Sequence, residues 1–231
     1  SQDEDNDNPL NITTEEAYII GRYVADGHIQ DNKRRGRKNS YEARVVFSIG
    51  NGKLEEFLSN INSYHVGYSK EGNVFKSYII GQRMKNLCNL FGRGAANKRI
   101  DGAIFRSNIG IQKHFLRGYL DGDGSYNGKI HKATTVSKDL VYGLGRLVQN
   151  TLGLPYSIVF TKRPEKTIIE GRVVNQKDTW TIEFRKEAKI RQSISLYNKI
   201  WNPIREIVYD SSFQGHTYNI EVDEDNSYAI N

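Results

Sequence analysis

The chain has 231 residues, of which 37% are hydrophobic and 11% aromatic, a composition typical of a folded globular protein rather than a disordered one. No apolar run approaches the roughly 18 residues that a membrane-spanning helix needs, so we expect a soluble, intracellular protein with no membrane partner. Cys88 is the only cysteine, which excludes an intramolecular disulfide and a cysteine-cluster zinc site.

Charge is unevenly distributed along the chain. Residues 1–11 and 213–231 each carry four acidic residues and no Lys or Arg, so residues 12–212 hold all 33 basic residues against the remaining 19 of the 27 acidic ones, a net of +14. A body this basic favours a polyanionic partner, because Lys and Arg that neutralise phosphates release condensed counterions. Charge alone does not decide the function, since many basic soluble proteins bind no nucleic acid.

The opening 11 residues are acidic and nearly free of apolar side chains, which predicts a disordered leader. Thr13 and Glu16 then have the spacing of a capping box, and the helix that they begin is expected to be closed by Gly27 in a left-handed conformation. Alternating apolar and polar side chains predict strands after this helix. In chain order the expected elements are a helix over 14–25, strands over 28–33 and 41–49, a helix over 53–61, strands over 64–69 and 73–80, and a helix over 82–91.

The same order of elements is expected a second time. Its members are a helix over 109–122, strands over 125–130 and 132–136, a helix over 138–152, strands over 157–163, 167–173 and 179–184, and a helix over 189–200. A recurring order of this kind indicates an internal repeat. We therefore predict a leader (1–11), a first repeat (12–101), a second repeat (102–212) and a tail (213–231).

Both opening helices end in the same string, which reads Gly, four residues, then Asp-Gly. It occurs at residues 21–27 and 118–124, an offset of 97 residues. One Asp-Gly after an apolar segment is usually only a turn. Two alike strings, each ending the helix that opens a unit of the same element order, indicate a duplicated functional motif.

The string has a chemical rationale if the two helices pack side by side. Gly21 and Gly118 lack the bulk that keeps helix axes about 8–10 Å apart, so the two backbones could approach closely. Asp26 and Asp123 would then emerge side by side from the helix C-termini, where the helix dipoles favour a cation. Carboxylate oxygens suit Mg²⁺, and a metal held between a carboxylate and a phosphodiester can activate water. The pattern predicts one cutting centre for each strand of a duplex.

The paired strings resemble the motifs of LAGLIDADG homing endonucleases, and the resemblance extends over about residues 12–212. It implies an α+β fold of two pseudo-symmetric αββαββα repeats, packed through their first helices, each with a curved antiparallel DNA-binding sheet. It also implies a single-chain monomer with internal pseudo-twofold symmetry that makes a double-strand break at a long asymmetric site in double-stranded DNA. The metal-binding acids would be Asp26 and Asp123, with the backbone carbonyls of Ala25 and Gly122 near Mg²⁺. Val24 stands where many members carry an acid.

Residues 97–105, NKRIDGAIF, resemble the Lys-x-Ile-Pro block of the same family, with Asp101 in place of the proline. The match implies that Lys98 stabilises charge in the transition state or positions the hydrolytic water. The other interpretation of Lys98 is one more solvated lysine in a basic loop. Its counterpart in the second repeat is expected to be Lys199, which precedes Trp201.

A sheet laid in the major groove needs polar and basic side chains on its groove side. Most of the candidates would contact phosphates, and only a few would read bases. The candidates are Lys33, Arg34, Arg35, Arg37, Lys38 and Arg44 in the first repeat, and Lys129, His131, Lys132, Lys162, Arg163 and Lys166 in the second.

Residues 216–231 resemble the block near the end of inteins and other Hint domains. Asn226 stands where that block has its catalytic histidine, and the final Val-His-Asn segment and the opening nucleophile block are missing. We therefore do not expect protein splicing by this chain. Three interpretations of the tail stay open: a relic of an intein-borne ancestor, a fragment of a longer protein, or an ordinary extra β-hairpin.

Three other functions compete with the nuclease. The first is a LAGLIDADG maturase that binds intron RNA without cutting DNA. The second is a DNA-binding regulator of the same fold with an inactive site, which would bind duplex with or without a divalent metal. The third, a basic structural module, explains neither the repeated string nor the +14 body.

Overall fold

The structure, a computed structural model, describes residues 7–33, 41–164, 166–169, 172–185, 194–196 and 199–201. Its first half begins with a long helix, followed by four strands and two shorter helices. These elements are α1 (Thr14–Asp26), β1 (His28–Lys33), β2 (Tyr41–Gly50), α2 (Leu54–Ser59), β3 (Val66–Glu71), β4 (Val74–Ile80) and α3 (Gln82–Leu90).

The second half repeats this order as far as its fourth sheet strand, after a connection that contains a 3-10 turn (Ala95–Asn97) and the short helix α4 (Gly102–Arg106). A small hairpin, β8 with β9, is inserted between the third and fourth strands of the sheet. The elements are α5 (Ile109–Asp123), β5 (Gly124–Tyr126), β6 (His131–Thr135), α6 (Lys138–Leu152), β7 (Tyr156–Thr161), β8 (Lys166–Ile169), β9 (Arg172–Asn175), β10 (Thr179–Phe184), β11 (Ile194–Leu196) and β12 (Lys199–Trp201).

The start of α1 confirms the capping box. The Thr13 hydroxyl accepts from the backbone N–H of Glu16 at 3.1 Å, and the Glu16 carboxylate accepts from the backbone N–H of Thr13 at 3.0 Å. The predicted left-handed closure at Gly27 is wrong: its φ of −83° and ψ of 159° are extended, because the chain passes directly from α1 into β1. Glycine is needed there for space, since a Cβ would lie 2.6 Å from the Cα of Tyr23.

Each half has one four-stranded antiparallel sheet. The strand orders are β1-β2-β4-β3 in the first half and β5-β6-β10-β7 in the second, so the same pattern is built twice. In β2 the side chains of Val45, Phe47 and Ile49 are buried, and alternation places Arg44 and Ser48 on the opposite face. The predicted α+β fold, with two helix-and-sheet units joined through their first helices, is confirmed.

The helices α1 and α5 pack along each other at the centre, and one contiguous hydrophobic cluster continues from them into both halves. Tyr18 and Tyr23 of α1 and Phe115 and Tyr119 of α5 are among its largest fully buried or nearly buried side chains. Cys88 is also buried, as a core residue would be. Within the described ranges, every helix is too short or too polar to cross a bilayer.

Two expectations need correction. Residues 7–11, assigned to a disordered leader, form a turn in which the Asn8 side chain bonds to both backbone groups of Ile12, and the Asp7 carbonyl accepts from Asn108 at the start of α5. The helix predicted over 189–200 is wrong, because residues 194–196 and 199–201 are paired strands. Ile194 and Leu196 alternate with a serine, which is the period of a strand. Residues 1–6 and the predicted tail, 213–231, lie outside the described residues.

Candidate active site

Two glycines let α1 and α5 approach until their backbones touch. A Cβ on Gly21 would lie 2.1 Å from the carbonyl oxygen of Phe115, and a Cβ on Gly118 would lie 2.1 Å from the carbonyl oxygen of Tyr18. Any side chain at either position would therefore collide with the backbone of the other helix. The two strings make equivalent contacts: the glycine of each helix packs against the backbone of the other helix.

This packing brings the last residues of both helices together. Asp26 and Asp123 end α1 and α5, and each is followed by the glycine that caps its helix at the entry to the first strand of its sheet. Burial raises the pKa of Asp26 to about 6, with the neighbouring Asp123 raising it further and Arg22 and Lys98 opposing the shift. Desolvation also raises the pKa of Asp123, although that residue is solvent-exposed. Two carboxylates that lie close enough to raise a pKa in this way favour a bound cation.

Arg22 is a buried residue of the site that the sequence analysis missed. It lies one helical turn before Asp26, is 3% exposed, and its Nη2 donates to Asp26 Oδ2 at 3.2 Å. The other oxygen, Oδ1, is buried and accepts no hydrogen bond from the described part of the chain. A signal was available, because Arg22 is the one basic residue of α1 and stands at the i,i+4 spacing from the acid.

Lys98 reaches the same helix end from the connection between the halves. Its side chain donates to the carbonyls of Tyr23, Ala25 and Gly27, with the last bond at 2.9 Å, and the residue is only 6% exposed. Burial lowers its pKa to about 8, while Asp123 and Asp26 oppose that shift. Lys98 is therefore not a solvated loop lysine. It is a buried ammonium group at the C-terminus of α1.

The residues at the two helix ends fit a divalent cation. Asp26 Oδ1 is a buried oxygen without a partner among the described residues, and the carbonyl of Ala25, which accepts only a long 3.4 Å bond from Lys98, keeps acceptor capacity. Across the described ranges, no cluster of three or more His, Cys, Asp and Glu residues forms a complete metal cage. Mg²⁺ usually keeps waters and takes phosphate oxygens in addition to one or two carboxylates, so the pair of acids is sufficient.

The surroundings of α5's end differ from those of α1's end. Tyr119 stands four residues before Asp123, as Arg22 does before Asp26, and its buried hydroxyl finds no partner within the described residues. Asp121 is present where Val24 lies in the first half, and the Asp121 carbonyl accepts from Lys53 at 3.3 Å. The Asp123 side opens into a cleft of about 190 Å³. Its lining includes Lys98, Asp123, Thr134, Thr135, Thr179 and Val24.

The outer face of the first sheet borders the site. His28 begins β1 directly after the first string, and its pKa is lowered by burial and by the nearby charges of Lys98 and Lys76. Register places Arg44 on the same face, where its guanidinium lies 4.4 Å from the centre of the Tyr78 ring. This face is polar, aromatic and cationic.

The outer face of the second sheet carries mainly hydroxyl groups. Thr134 and Thr181 are paired across β6 and β10 with their hydroxyls 2.9 Å apart. Their neighbours Lys132 and Glu183 form a cross-strand ion pair at 2.6 Å, which offsets the lysine charge. Thr134 also lines the cleft beside Asp123, so this face is continuous with the site.

The other predicted DNA-binding residues lie in several places. His131 is on the core side of its sheet, stacked between Tyr126 and Phe184 at 4.3 and 4.9 Å, and so does not share a face with Lys132. Lys129, Lys162 and Arg163 are exposed in turns at strand ends. Only the backbone is described for the strand residues Lys33 and Lys166, and likewise for Lys199, the predicted counterpart of Lys98. Outside the described residues lie Arg34, Arg35, Arg37 and Lys38.

A family model described as a LAGLIDADG-like domain matches residues 111–187, from the first turn of α5 to just beyond β10. That segment contains the second string, and the first string ends α1 at the corresponding place in the first half. The second half of this chain therefore contains a LAGLIDADG-like domain.

Curated relatives of this chain are much longer proteins. A DNA polymerase of Thermococcus hydrothermalis is 32% identical over 149 residues, which cover 63% of this chain and 9% of the polymerase. The ATP-dependent DNA helicase Hel308 of Thermococcus kodakarensis is 26% identical over 254 residues, covering 96% of this chain and 21% of the helicase. The chain therefore spans less than a quarter of the length of either relative.

Solved structures with similar backbones include a homing endonuclease and a LAGLIDADG domain. Mesophilic variants of the homing endonuclease I-DmoI are 16% identical, with a TM-score of 0.49 over 74% of this chain and 88% of that one. The N-terminal LAGLIDADG domain of DUF199/WhiA is 12% identical, with a TM-score of 0.43 over 78% of this chain and 81% of that one. The fold assignment rests on the helix pair and the two sheets of this chain, not on these similarities.

Proposed function

We propose that this chain is a site-specific homing endonuclease that makes a double-strand break in DNA with the help of a divalent metal, Mg²⁺ in the cell. The observation that carries the proposal is the pair of acids, Asp26 and Asp123, brought together at the ends of two helices that touch through glycine. Placing the largely buried carboxylate of Asp26 beside a second acid is costly, and a structural role would be served better by neutral side chains. A cation that both acids share offsets that cost.

The side chains of the site have distinct tasks in this proposal. Asp26, through Oδ1, and Asp123 would hold the metal, which supplies a polarised water and neutralises charge on the phosphate. Lys98 would place a positive charge where negative charge develops on the scissile phosphate, and burial keeps its ammonium fixed at the helix end. Backbone carbonyls before the acids, at Ala25 and Gly122, would complete the oxygen-rich surroundings of the metal.

The two sheet faces supply a surface for the duplex on either side of the acids. On the first sheet, Arg44 and Lys76 offer cationic contacts, and on the second, Thr134 and Thr181 offer hydrogen-bonding groups. Because the two faces carry different side chains, one chain would read an asymmetric site. The net charge of +14 over residues 12–212 would supply the phosphate attraction that such binding needs.

The relatives also support a homing function. The matched segment is 9% of a DNA polymerase, 16% of an RNA polymerase subunit and 21% of a helicase, proteins that otherwise differ. A segment that recurs inside different proteins behaves as a module that can move between genes, which is what homing achieves. Whether this one was carried by an intron or an intein stays part of the proposal.

The test is selection of cleaved sites from a randomised duplex library in Mg²⁺, followed by single substitutions at the two acids. We expect the wild-type protein to enrich one long asymmetric site. Asp26→Asn and Asp123→Asn should keep binding to that site and lose double-strand cleavage by at least about 1,000-fold, because each removes a metal ligand. Undiminished cutting by either variant would contradict the assignment of the acids.

The same experiment separates the competing functions. A DNA-binding regulator would retain one duplex equally well with Mg²⁺ or with EDTA and would never nick it. A maturase would enrich no duplex and would bind a structured intron transcript instead. The pair of neighbouring acids favours the nuclease over both, because neither binding function needs carboxylates where the phosphate backbone approaches.

A further inference from the structure

Arg22 is charged, buried and only partly paired, which calls for an explanation. Its Nη2 bonds to Asp26 Oδ2 at 3.2 Å, while its Nε is buried with no hydrogen-bond partner in the described part of the chain. A buried ion pair that leaves donors unsatisfied contributes little net stability. Removing each charge from water costs several kcal/mol, which offsets the attraction between the two ions. Stability alone therefore does not account for an arginine at this position.

The counterpart of Arg22 is a neutral residue. Tyr119 lies 97 residues later and stands four residues before Asp123, on the helix that mirrors α1. Its hydroxyl is buried and unpaired among the described residues, so it supplies no charge to the second acid. Asp123 is exposed, whereas the Asp26 side chain is 23% exposed. The two acids are alike in backbone position and unlike in what holds them.

The contact with Arg22 makes the two oxygens of Asp26 unequal. A carboxylate rotates easily about its last torsion, so a free aspartate presents either oxygen in many orientations. The bond from Arg22 fixes Oδ2 and leaves Oδ1 as the oxygen without a partner. A charged donor that holds a metal-binding carboxylate from behind is the arrangement by which outer residues orient such ligands.

We propose that Arg22 is a positioning residue for Asp26: it holds Oδ2 so that Oδ1 faces the metal, and it makes the cutting centre built on Asp26 different from the one built on Asp123. The inference rests on the proposed nuclease function and adds an inequality between the two DNA strands. The strand whose cleavage depends most on Asp26 should depend more on Arg22 than the other strand does, because Arg22 bonds to Asp26 and acts on Asp123 only through its charge.

Arg22 could instead occupy the place of the metal, and that role predicts the opposite change in metal affinity when the arginine is removed. If its guanidinium only occupied the place of the metal, its removal would relieve repulsion between two cations and would tighten metal binding. If it orients Asp26, its removal leaves a buried carboxylate free to rotate and weakens metal binding. The sign of the change in affinity therefore separates the two roles.

The experiment measures Mn²⁺ binding and strand-resolved cleavage for four full-length variants. Mn²⁺ binding is followed by electron paramagnetic resonance on the protein bound to its selected duplex, with phosphorothioates at both scissile positions to prevent cutting. The variants are Arg22→Met, Arg22→Lys, Asp26→Asn and the matched Tyr119→Phe. Thermal melting and duplex binding in Ca²⁺ confirm that each variant is folded.

We expect Arg22→Met to weaken Mn²⁺ binding tenfold to 100-fold at the site that Asp26→Asn abolishes, the range found when outer partners of metal ligands are removed. Arg22→Lys should recover part of the loss, because it restores a donor, and Tyr119→Phe should change binding less than about threefold. With ordinary duplex, Arg22→Met should slow one strand and accumulate a nicked product. The slowed strand should be the one most affected by Asp26→Asn.

Unchanged or tighter Mn²⁺ binding in Arg22→Met would overturn the inference, as would equal slowing of both strands. If Arg22→Met fails to fold, Arg22→Lys and Tyr119→Phe still decide, since only the first should alter Mn²⁺ binding. If the wild-type protein never cuts, no duplex is selected and the same spectra are recorded on the free protein. Mn²⁺ binding there would overturn the proposed nuclease alone, and the affinities of the free variants would still test Arg22. A wild-type protein that binds no Mn²⁺ would overturn both.

Discussion

In the first half of the molecule, the acid at the end of the central helix is largely buried and held by Arg22. In the second half, the corresponding Asp123 is exposed, follows the neutral Tyr119 and opens into a cleft with Lys98. The backbones of the two halves nevertheless agree: α1 and α5 each carry the same string, and each sheet has the same strand order. The helix pair and the two sheets, which we call the frame, are therefore alike in both halves. The side chains around the two acids differ.

Packing constrains the glycines in both halves, whereas it leaves the side chains beside the acids free to differ. The glycines of the two helices are fixed by contact with the opposite backbone, a requirement that is the same in both halves. The residues four positions before the acids place their backbone nitrogens against the opposite glycines, but their side chains differ: one is arginine and the other is tyrosine. Equal packing and unequal chemistry are what a single chain needs to hold an asymmetric duplex.

The largest effect should come from the shared frame. Gly21→Ala and Gly118→Ala should each lower the free energy of unfolding by about 3 kcal/mol, because each places a Cβ 2.1 Å from a carbonyl oxygen of the other helix. The two losses should agree within about 1 kcal/mol if the halves pack equivalently. Urea unfolding followed by circular dichroism measures both.

Gly50→Ala is the matched control for this pair. A Cβ at Gly50, at the end of β2, would meet nothing within 4 Å, so the substitution should change stability by less than about 0.5 kcal/mol. Tolerance of alanine at one helix glycine but not at the other would show that the frame is not duplicated. Full stability of both would contradict the close approach itself.

The frame is also the part that the sequence predicts best. The capping box at Thr13, the alternation in β2 and the two strings are short-range signals, and the elements that they define agree with the structure. The offset of 97 residues was enough to pair α1 with α5. Periodic and repeated patterns of this kind can be recognised without knowing which distant residues are in contact.

The site was predicted less completely, for physical reasons that particular residues make clear. The burial of Lys98 depends on carbonyls 71 to 75 residues away, a relation that no local pattern records. His131 lies in an alternating strand whose inner and outer faces both carry polar side chains, so the pattern did not reveal that it packs inward. Arg22 was not among the predicted site residues, and its burial is not evident from its type, because arginine is rarely buried.

A second prediction sharpens the contrast between the lysines that reach the two helix ends. Lys98→Met should slow cleavage about 100-fold to 1,000-fold, the usual loss when a fixed donor to developing charge is removed. Lys53→Met should slow it less than about tenfold, because Lys53 is exposed and its 3.3 Å bond to the Asp121 carbonyl competes with water. Single-turnover cleavage in saturating Mg²⁺ measures both rates.

Duplex binding in Ca²⁺ is the control for the lysine variants, since it should change little if Lys98 acts on the transition state rather than on affinity. Melting temperatures show how much stability is lost when the carbonyls of Tyr23 and Gly27 lose their donor. Equal losses of rate in the two variants would mean that burial of Lys98 has no bearing on its task. The proposed role of Lys98 would then be wrong.

The smallest effect should distinguish the two sheet faces. Lys132 is paired with Glu183 directly across two central strands, whereas in the first sheet Lys76 is paired with Glu71 at the hairpin end, with both side chains about half exposed. Glu183→Gln should release the charge of Lys132 toward a phosphate and tighten binding to random duplex about threefold to tenfold. The slope of log affinity against log salt should steepen by about 0.9, the value for one added phosphate contact on B-DNA.

Glu71→Gln is the matched control and should change affinity less than about twofold, because exposed pairs are already screened by solvent. Fluorescence anisotropy over a salt series gives both slopes. Weaker binding in Glu183→Gln would mean that Glu183 itself accepts a hydrogen bond from a base, and the second sheet would then read sequence through a carboxylate that the first sheet lacks at its centre.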